Sequence, residues 1–458
     1  MRFRLKVVFP LILSFVLSLS ISGCLPKGAV SPQKEIDTIL ENASYFQEEQ
    51  DYDKAIAEFQ KLLDKYPQSD QADNAQFEIG NSYRLKGDYK AAIEAYEKVD
   101  PKSELADRAK LLIGDCYLAL NETKRAREIY RSLIKKYPYL NSDEARKAKR
   151  NLDLMARIAE LEREVREGVE THRDNALFEI GRIYLEELNL PDVAAERFKE
   201  LAERFPKSEL ADDAMMMLGE CYWHMAKYET PPKVDTRKLA AFVRYYYILD
   251  RYPQLGEMDL RKVGLKPHWP AGYPSRGFEK LYGRGMRYDN YYLEVRFLLS
   301  RYPDLMEWQY TDFLPPSYGK AMETWNELLE RYPNTDAALK CREVVAERLA
   351  ELGKAFYNAG APGFSNVLLH ESLSYYPTPE AHIYLAYFYA DARMFSSDRT
   401  SLYHKIQVFD HIKQAEKLVP PDSELASQIK QLKTWMNYRM RIEALEAKIN
   451  KLSSRRGR

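Results

Sequence analysis

The sequence predicts an all-α fold: a solenoid of helix pairs, interrupted by one irregular insertion and closed by a long C-terminal helix. Three observations carry this. Within 75–96, Gly80 stands three before Tyr83, a Gly-Asp-Tyr turn follows at Gly87, Asp88 and Tyr89, and Ala92 and Tyr96 stand four apart. Two amphipathic helices joined by a tight turn have this pattern, with small residues where the helices approach and aromatics filling the gaps beside them. The pattern returns 34 residues later, at Gly114, Tyr117, Ala126 and Tyr130. Aromatic-proline pairs such as Tyr66-Pro67, Tyr137-Pro138 and Phe205-Pro206 close the units, because proline lacks an amide donor and clashes with the helical turn before it.

Residues 1–23 read as a targeting segment. Arg2, Arg4 and Lys6 precede an apolar run from Val7 to Ile21, which is too short and too interrupted by Pro10 and serines for a spanning helix. It ends in Ile21-Ser22-Gly23-Cys24, which resembles a bacterial lipobox. The resemblance implies cleavage before Cys24 and lipidation of its thiol; an ordinary secretory signal is the alternative. Leu25 in place of aspartate implies, in enteric-type bacteria, transfer to the outer membrane, facing the periplasm. Residues 24–34, with two prolines and a glycine, form a tether.

The first array spans 35–226. Unit one runs to Pro67 with Ala43, Phe46, Ala55 and Phe59, and units two and three carry Gly80 and Gly114. Residues 143–171 then read as one long charged helix with a stripe of Leu154, Ile158, Leu161 and Val165, either a spacer packed along the array or a coiled coil for a partner. Unit four resumes with Gly181, Tyr184, Ala194 and Phe198. Unit five starts with Ala214, Gly219 and Tyr222, has a swollen turn over 228–237, and closes with Ala241, Tyr245 and Tyr252-Pro253.

Residues 227–320 form an aromatic-rich insertion with a partial repeat, least regular from 254 on, where Trp269 and Trp308 stand among glycines and prolines. Such an insertion is either functional or a plug over the solenoid's side. A C-terminal array follows over 321–421, opening with Ala321, Trp325 and Tyr332-Pro333. A capping helix occupies 422–458, with Ile429, Leu432, Met436, Leu445, Ile449 and Leu452 on one stripe and a disordered basic end at 455–458.

Composition narrows the function. The chain has 458 residues, 45% hydrophobic, with 69 basic and 69 acidic side chains. That balance argues against a nucleic-acid-binding surface. Cys116, Cys221 and Cys341 read as small buried residues and not as a disulfide scaffold. The seven histidines are scattered without a metal-ligand frame, and His404 and His411 stand two helical turns apart. Phosphate loops and nucleophile elbows are missing. The expectation is no catalytic residue, no cofactor, no metal and no small-molecule substrate.

The spacing around Gly80 resembles the tetratricopeptide repeat. Tyr52-Asp-Lys-Ala55, Tyr66-Pro-Gln-Ser69, Asn74 to Gly80 and Gly87 to Ala91 are similar to the repeats of two periplasmic families. One is BamD, the outer-membrane assembly lipoprotein of the β-barrel machinery; the other is the Tol-Pal coordinating protein. The likeness covers roughly 35–225, beyond which the chain departs from both. It implies a membrane-anchored scaffold or adaptor that binds envelope proteins or peptides, within outer-membrane protein assembly. The alternative is a regulator or subunit of a peptidoglycan or polysaccharide export system. In such repeats the first helix of each unit lines the groove, so the register selects Asn74, Phe77, Asn81, Arg84, Arg108, Asp115, Arg182 and Trp223 as partner-binding residues. Phe77, Phe178 and Trp223 would be anchors for a peptide. Asn81 is similar to part of a chaperone-tail clamp, but Phe77 stands where that clamp carries lysine.

Overall fold

A computed structural model describes residues 31–48, 50–229, 232–251, 295, 297–390 and 402–456. The segment around Cys24, the Tyr252-Pro253 pair and Trp269 lie outside them. Among the described residues there is no strand. The first units are α1 (Pro32–Glu48) with α2 (Tyr52–Lys65), α3 (Ala72–Leu85) with α4 (Tyr89–Tyr96), and α5 (Ala106–Ala119) with α6 (Thr123–Lys136). The long α7 (Asp143–Glu167) follows, then α8 (Glu170–Arg182), which runs into a π turn, Ile183–Glu187, and pairs with α9 (Pro191–Arg204).

One contact recurs. A Cβ placed on Gly80 would lie 2.5 Å from the Tyr96 ring, on Gly114 2.5 Å from Tyr130, and on Gly181 2.7 Å from Phe198. Each glycine lets the second helix lay a large side chain directly on the backbone of the first. The first two partners lie sixteen residues on and the third seventeen, because the π turn adds one residue to its helix. The turn repeats the same shift. Left-handed backbone occurs seven residues after the contact glycine at Gly87 and Asn121, and eight after it at Asn189. At Gly87 (φ 82°) glycine adopts this conformation without strain, and Asp88 then caps α4, its carboxylate accepting from the Ala91 N–H at 3.1 Å.

Unit five differs from the sequence expectation. α10 (Ala211–Ala226) packs on α12 (Pro316–Arg331), and Gly219 faces the indole of Trp325, whose Nε1–H donates to the Met216 carbonyl at 3.1 Å. Ala321 and Trp325, both buried, occupy the places that Ala92 and Tyr96 hold in unit two. The two helices of one repeat are therefore separated by the insertion. Ala241 and Tyr245 belong instead to α11 (Thr236–Arg251), inside the insertion, and do not close the unit. The competing pattern had the same four-residue spacing; the glycine contact decides between them. Around α11, Phe313 packs at a tilt on Phe242 (ring centroids 5.0 Å apart), and half-buried Trp308 donates to Asp304 at 2.9 Å beneath the Lys238 ammonium.

Unit six is α13 (Asp336–Asn358) with α14 (Pro362–Tyr375). Gly353 faces Leu369 sixteen residues on, and Gly360, again seven after it, has φ 84°. Then α15 (Pro379–Ala390) packs on α16 (Leu402–Leu418), and α17 (Glu424–Arg456) lies across both. The helical backbone of α17 runs to Arg456, so the first two residues of the basic end expected to be disordered are helix. The charged helix α7 stops at Glu167, earlier than residue 171, because Gly168 is extended (ψ 166°). Its Met155, Ile158 and Leu161 are buried against unit four, which makes it a packed spacer. Cys116, Cys221 and Cys341 are free and buried, and burial pushes the Cys116 and Cys341 thiols up to about 12.

Four histidines gather where α14, α15 and α16 meet. His382 Nδ1 and His411 Nδ1 are 2.9 Å apart, His370 Nε2 is 3.1 Å from the Tyr389 hydroxyl, and the Tyr247 hydroxyl is 2.8 Å from His404 Nε2. His411 also stacks on Tyr389. Burial, with neighbouring His370, lowers His411 to about 3; burial lowers His382 to about 4 against the opposing pull of Asp410. An unfolded histidine takes up its proton near pH 6.5. The folded pair stays neutral below that, so the stability it contributes is complete above pH 6.5 and lost as the pH falls toward 4. Stability around α15 and α16 should fall by up to about 1.4 kcal/mol per pH unit for His411, and by less for His382, where solvent screens more. Urea midpoints at pH 7.5, 6 and 5 measure this. His411→Phe, which keeps the stacking, should flatten the slope, and an unchanged slope would contradict the assignment.

Candidate functional site

The first-helix register places the eight expected partner-binding residues in different settings. Phe77 is 1% exposed, packs 5.5 Å from Tyr96, and is covered by the Arg108 guanidinium. Trp223 is 3% exposed between Tyr318 and Trp325. Both are core residues and offer a partner no anchor; Phe178 is half-buried against Phe198. They sit on the side of the first helix that faces its own second helix, a distinction spacing alone does not make. Asn81 accepts from the Tyr96 hydroxyl at 2.7 Å, and Asp115 from the Tyr130 hydroxyl at 2.6 Å and from Asn151 Nδ2 at 2.9 Å. The residue after the contact glycine thus satisfies the tip of the tyrosine laid on it. Asn74 is half-buried beside Gln71, and Arg182 is exposed and paired with Glu186 at 2.8 Å. Cys24 lies outside the described residues.

Arg84 and Asp115 do come together. They line a cleft of about 610 Å³ where the C-terminal ends of α3 and α10, with the turns that follow them, meet the second half of α5 and the turn that leads into α9. Tyr89, Asp192, His224, Tyr228 and Glu229 line it too, and none of these was expected from the sequence. The Tyr89 hydroxyl donates to Asp192 Oδ2 at 3.0 Å, joining unit two to unit four across 103 residues of chain. The Gly87-Asp88-Tyr89 turn was legible in sequence; its distant partner carried no local signal. Glu229 accepts from the Ser317 N–H at 2.9 Å, so the insertion leaves and rejoins the array at the mouth of this cleft.

The cleft holds polar groups whose bonding is incomplete. Arg84 Nε, Asp192 Oδ1 and His224 Nδ1 are buried and have no hydrogen-bond partner among the described residues. Each such atom costs about 1–3 kcal/mol relative to a paired one. Burial works against the Arg84 charge, but the Tyr96 hydroxyl, Cys116 and Asp115 outweigh it and hold the guanidinium protonated. Burial raises Asp115, and burial aided by Lys227 lowers His224 and keeps it neutral. A fixed cation, a carboxylate oxygen and a neutral imidazole thus face one space. A group offering an acceptor to Arg84 and a donor to Asp192 fits it, and a peptide amide offers both. Among the described residues, no group of three or more His, Cys, Asp or Glu side chains is placed to hold a metal ion, and no helix is long and apolar enough to cross a membrane.

Residues 40–105, 83–152 and 175–208 each match a family model described as tetratricopeptide repeat. No curated protein matches the chain. Solved structures similar to it include a tetratricopeptide repeat protein from Parabacteroides merdae, 13% identical over 87% of this chain and 99% of that one, with a TM-score of 0.22. The P58(IPK) TPR domain is 14% identical, with coverages of 88% and 99% and a TM-score of 0.24. Yeast Tom70 is 13% identical, with coverages of 88% and 89% and a TM-score of 0.24. The repeat assignment rests on the family matches and on the recurring glycine contacts. The chain carries tetratricopeptide repeats over residues 40–152 and 175–208, an all-α repeat fold of the kind that serves as a protein–protein interaction scaffold.

Proposed function

We propose that the protein is a non-enzymatic, lipid-anchored scaffold of the bacterial envelope that grips an extended segment of a partner protein in the cleft at Arg84, Asp192 and His224, within outer-membrane protein assembly. One observation carries the binding site: the three unpaired polar atoms that share this cleft. A main-chain carbonyl accepts from Arg84 and the neighbouring N–H donates to Asp192, so an extended backbone relieves two of the three at once, and His224 takes a third polar group. The envelope setting is supported by the basic front, the apolar run and the lipobox-like Ile21-Ser22-Gly23-Cys24, and the assembly role by the resemblance of residues 35–225 to BamD repeats.

Two experiments test the two halves. Cys24→Ser should move the protein out of the membrane fraction and abolish labelling by a fatty-acid analogue. A mutant that stays membrane-bound, beside a wild type that takes no label, would remove the anchor from the account. For the cleft, peptides selected from a displayed random library against the wild type should bind the Arg84→Met, His224→Phe double variant about tenfold more weakly, the loss of roughly one charge-assisted hydrogen bond. Both substitutions keep side-chain bulk, so helical content and melting should be retained. Undiminished binding by the folded double variant would place partner capture elsewhere.

A further inference from the structure

The C-terminal helix α17 has two faces. Ile429, Leu432 and Met436 are buried against α15 and α16. Lys433 pairs with Glu416 of α16 at 2.7 Å, and Arg439 donates to the Ala390 carbonyl at the end of α15. Trp435, Tyr438 and Leu445 stand out of this stripe, 47%, 61% and 58% exposed. At 3.6 residues per turn the buried and exposed trios point to nearly opposite sides of the helix. The single stripe read from the sequence is therefore two, and Leu445 belongs to the outer one.

Along the sequence, the positions that continue this outer row have a period. Trp435, Tyr438, Ile442, Leu445, Ile449 and Leu452 alternate at three and four residues, the a and d positions of a heptad seam, on a helix whose backbone continues to Arg456. Its last four members put isoleucine at a and leucine at d, the combination that favours two parallel strands. The flanks agree on direction. Arg441 falls at g and Glu446 at the following e, so a parallel partner sets opposite charges against each other, whereas an antiparallel one sets Arg441 against Lys448, both at g.

We propose that α17 is a homodimerisation helix, its Trp435–Leu452 face pairing with the same face of a second copy in a short parallel coiled coil. The partner is a second copy because this seam is self-complementary in both its apolar pattern and its flanking charge. An isologous contact of this kind closes at two copies. Since the buried stripe lies opposite the seam, each repeat array stays on the outer side of its own helix. The dimer would present two peptide clefts from one assembly, which raises avidity for a partner with repeated segments. The dimer itself does not depend on how the clefts are used.

Sedimentation of the full chain carrying Cys24→Ser, over roughly 1–100 µM and without lipid, tests this. A concentration-dependent dimer is expected. Tyr438→Lys with Leu445→Lys should weaken it about tenfold or more while helical content and melting stay unchanged, both side chains being exposed. Arg441→Glu should weaken it several-fold, and adding Glu446→Arg should restore it, which a merely sticky surface would not do. If the double lysine variant loses helical content, the charge swap alone decides. A parent chain that stays monomeric, or a dimer indifferent to both sets of substitutions, overturns the proposal. So does a monomer that binds phosphatidylglycerol vesicles in a Trp435-dependent way, since Lys430, Arg441 and Lys448 beside the aromatics would then mark a lipid-docking face.

Discussion

The structure depends on one contact: a residue with no side chain on the first helix of a pair, and a large side chain of the second helix laid on it. Gly80, Gly114, Gly181, Gly219 and Gly353 receive Tyr96, Tyr130, Phe198, Trp325 and Leu369. Overfilling such a contact costs about 1–3 kcal/mol and emptying it about 3–5. The contact also fixes how closely the two helices approach and at what angle, so it sets the path of the whole array. That path brings the turn after α3 against the turn before α9, where Tyr89 meets Asp192. The cleft is a consequence of the pair contact repeated.

Much of this was written locally. The Gly80 and Gly114 units, with their aromatic partners sixteen residues on, can be read from spacing alone, and the left-handed turn at Gly87 follows from its Gly-Asp sequence. Unit five could not be read so, because 106 residues separate Gly219 from Trp325, and Ala241 with Tyr245 offered the same local pattern nearer by. Unit six gave a weaker signal for another reason: Leu369 fills the aromatic place and buried Ser365 the alanine place, so only Gly353, Gly360 and the closing Tyr376-Pro377 mark it. In the cleft, register found Arg84 and Asp115. It could not find Asp192, His224 or Tyr228, which reach the site only through the curvature of several units. Phe77 and Trp223 were misplaced because period distinguishes the faces of a helix but not which face meets its partner.

The insertion gains meaning from where it enters. It opens after Glu229 and returns at Ser317, and these two residues bond to each other at the mouth of the cleft. A segment placed between the two helices of one unit leaves their contact intact, since Gly219 and Trp325 close over it as the other pairs do. The array therefore tolerates a large elaboration beside its polar cleft without losing continuity, and Arg348 of unit six pairs with Glu220 of unit five at 3.1 Å beyond it. The C-terminal helices complete the molecule differently: α15 is apolar all round and needs cover on every side, which α13, α14, α16 and α17 provide.

The central claim is that α10 and α12 form one repeat across the insertion. A double-mutant cycle in urea between Gly219→Ala and Trp325→Leu tests it most directly. Gly219→Ala alone should destabilise by overfilling the contact with the indole, and Trp325→Leu should make room for the added methyl. The account predicts a coupling of about 1–3 kcal/mol between the two, and additivity in the matched cycle of Gly219→Ala with Tyr245→Leu. Additivity with Trp325 and coupling with Tyr245 would contradict it.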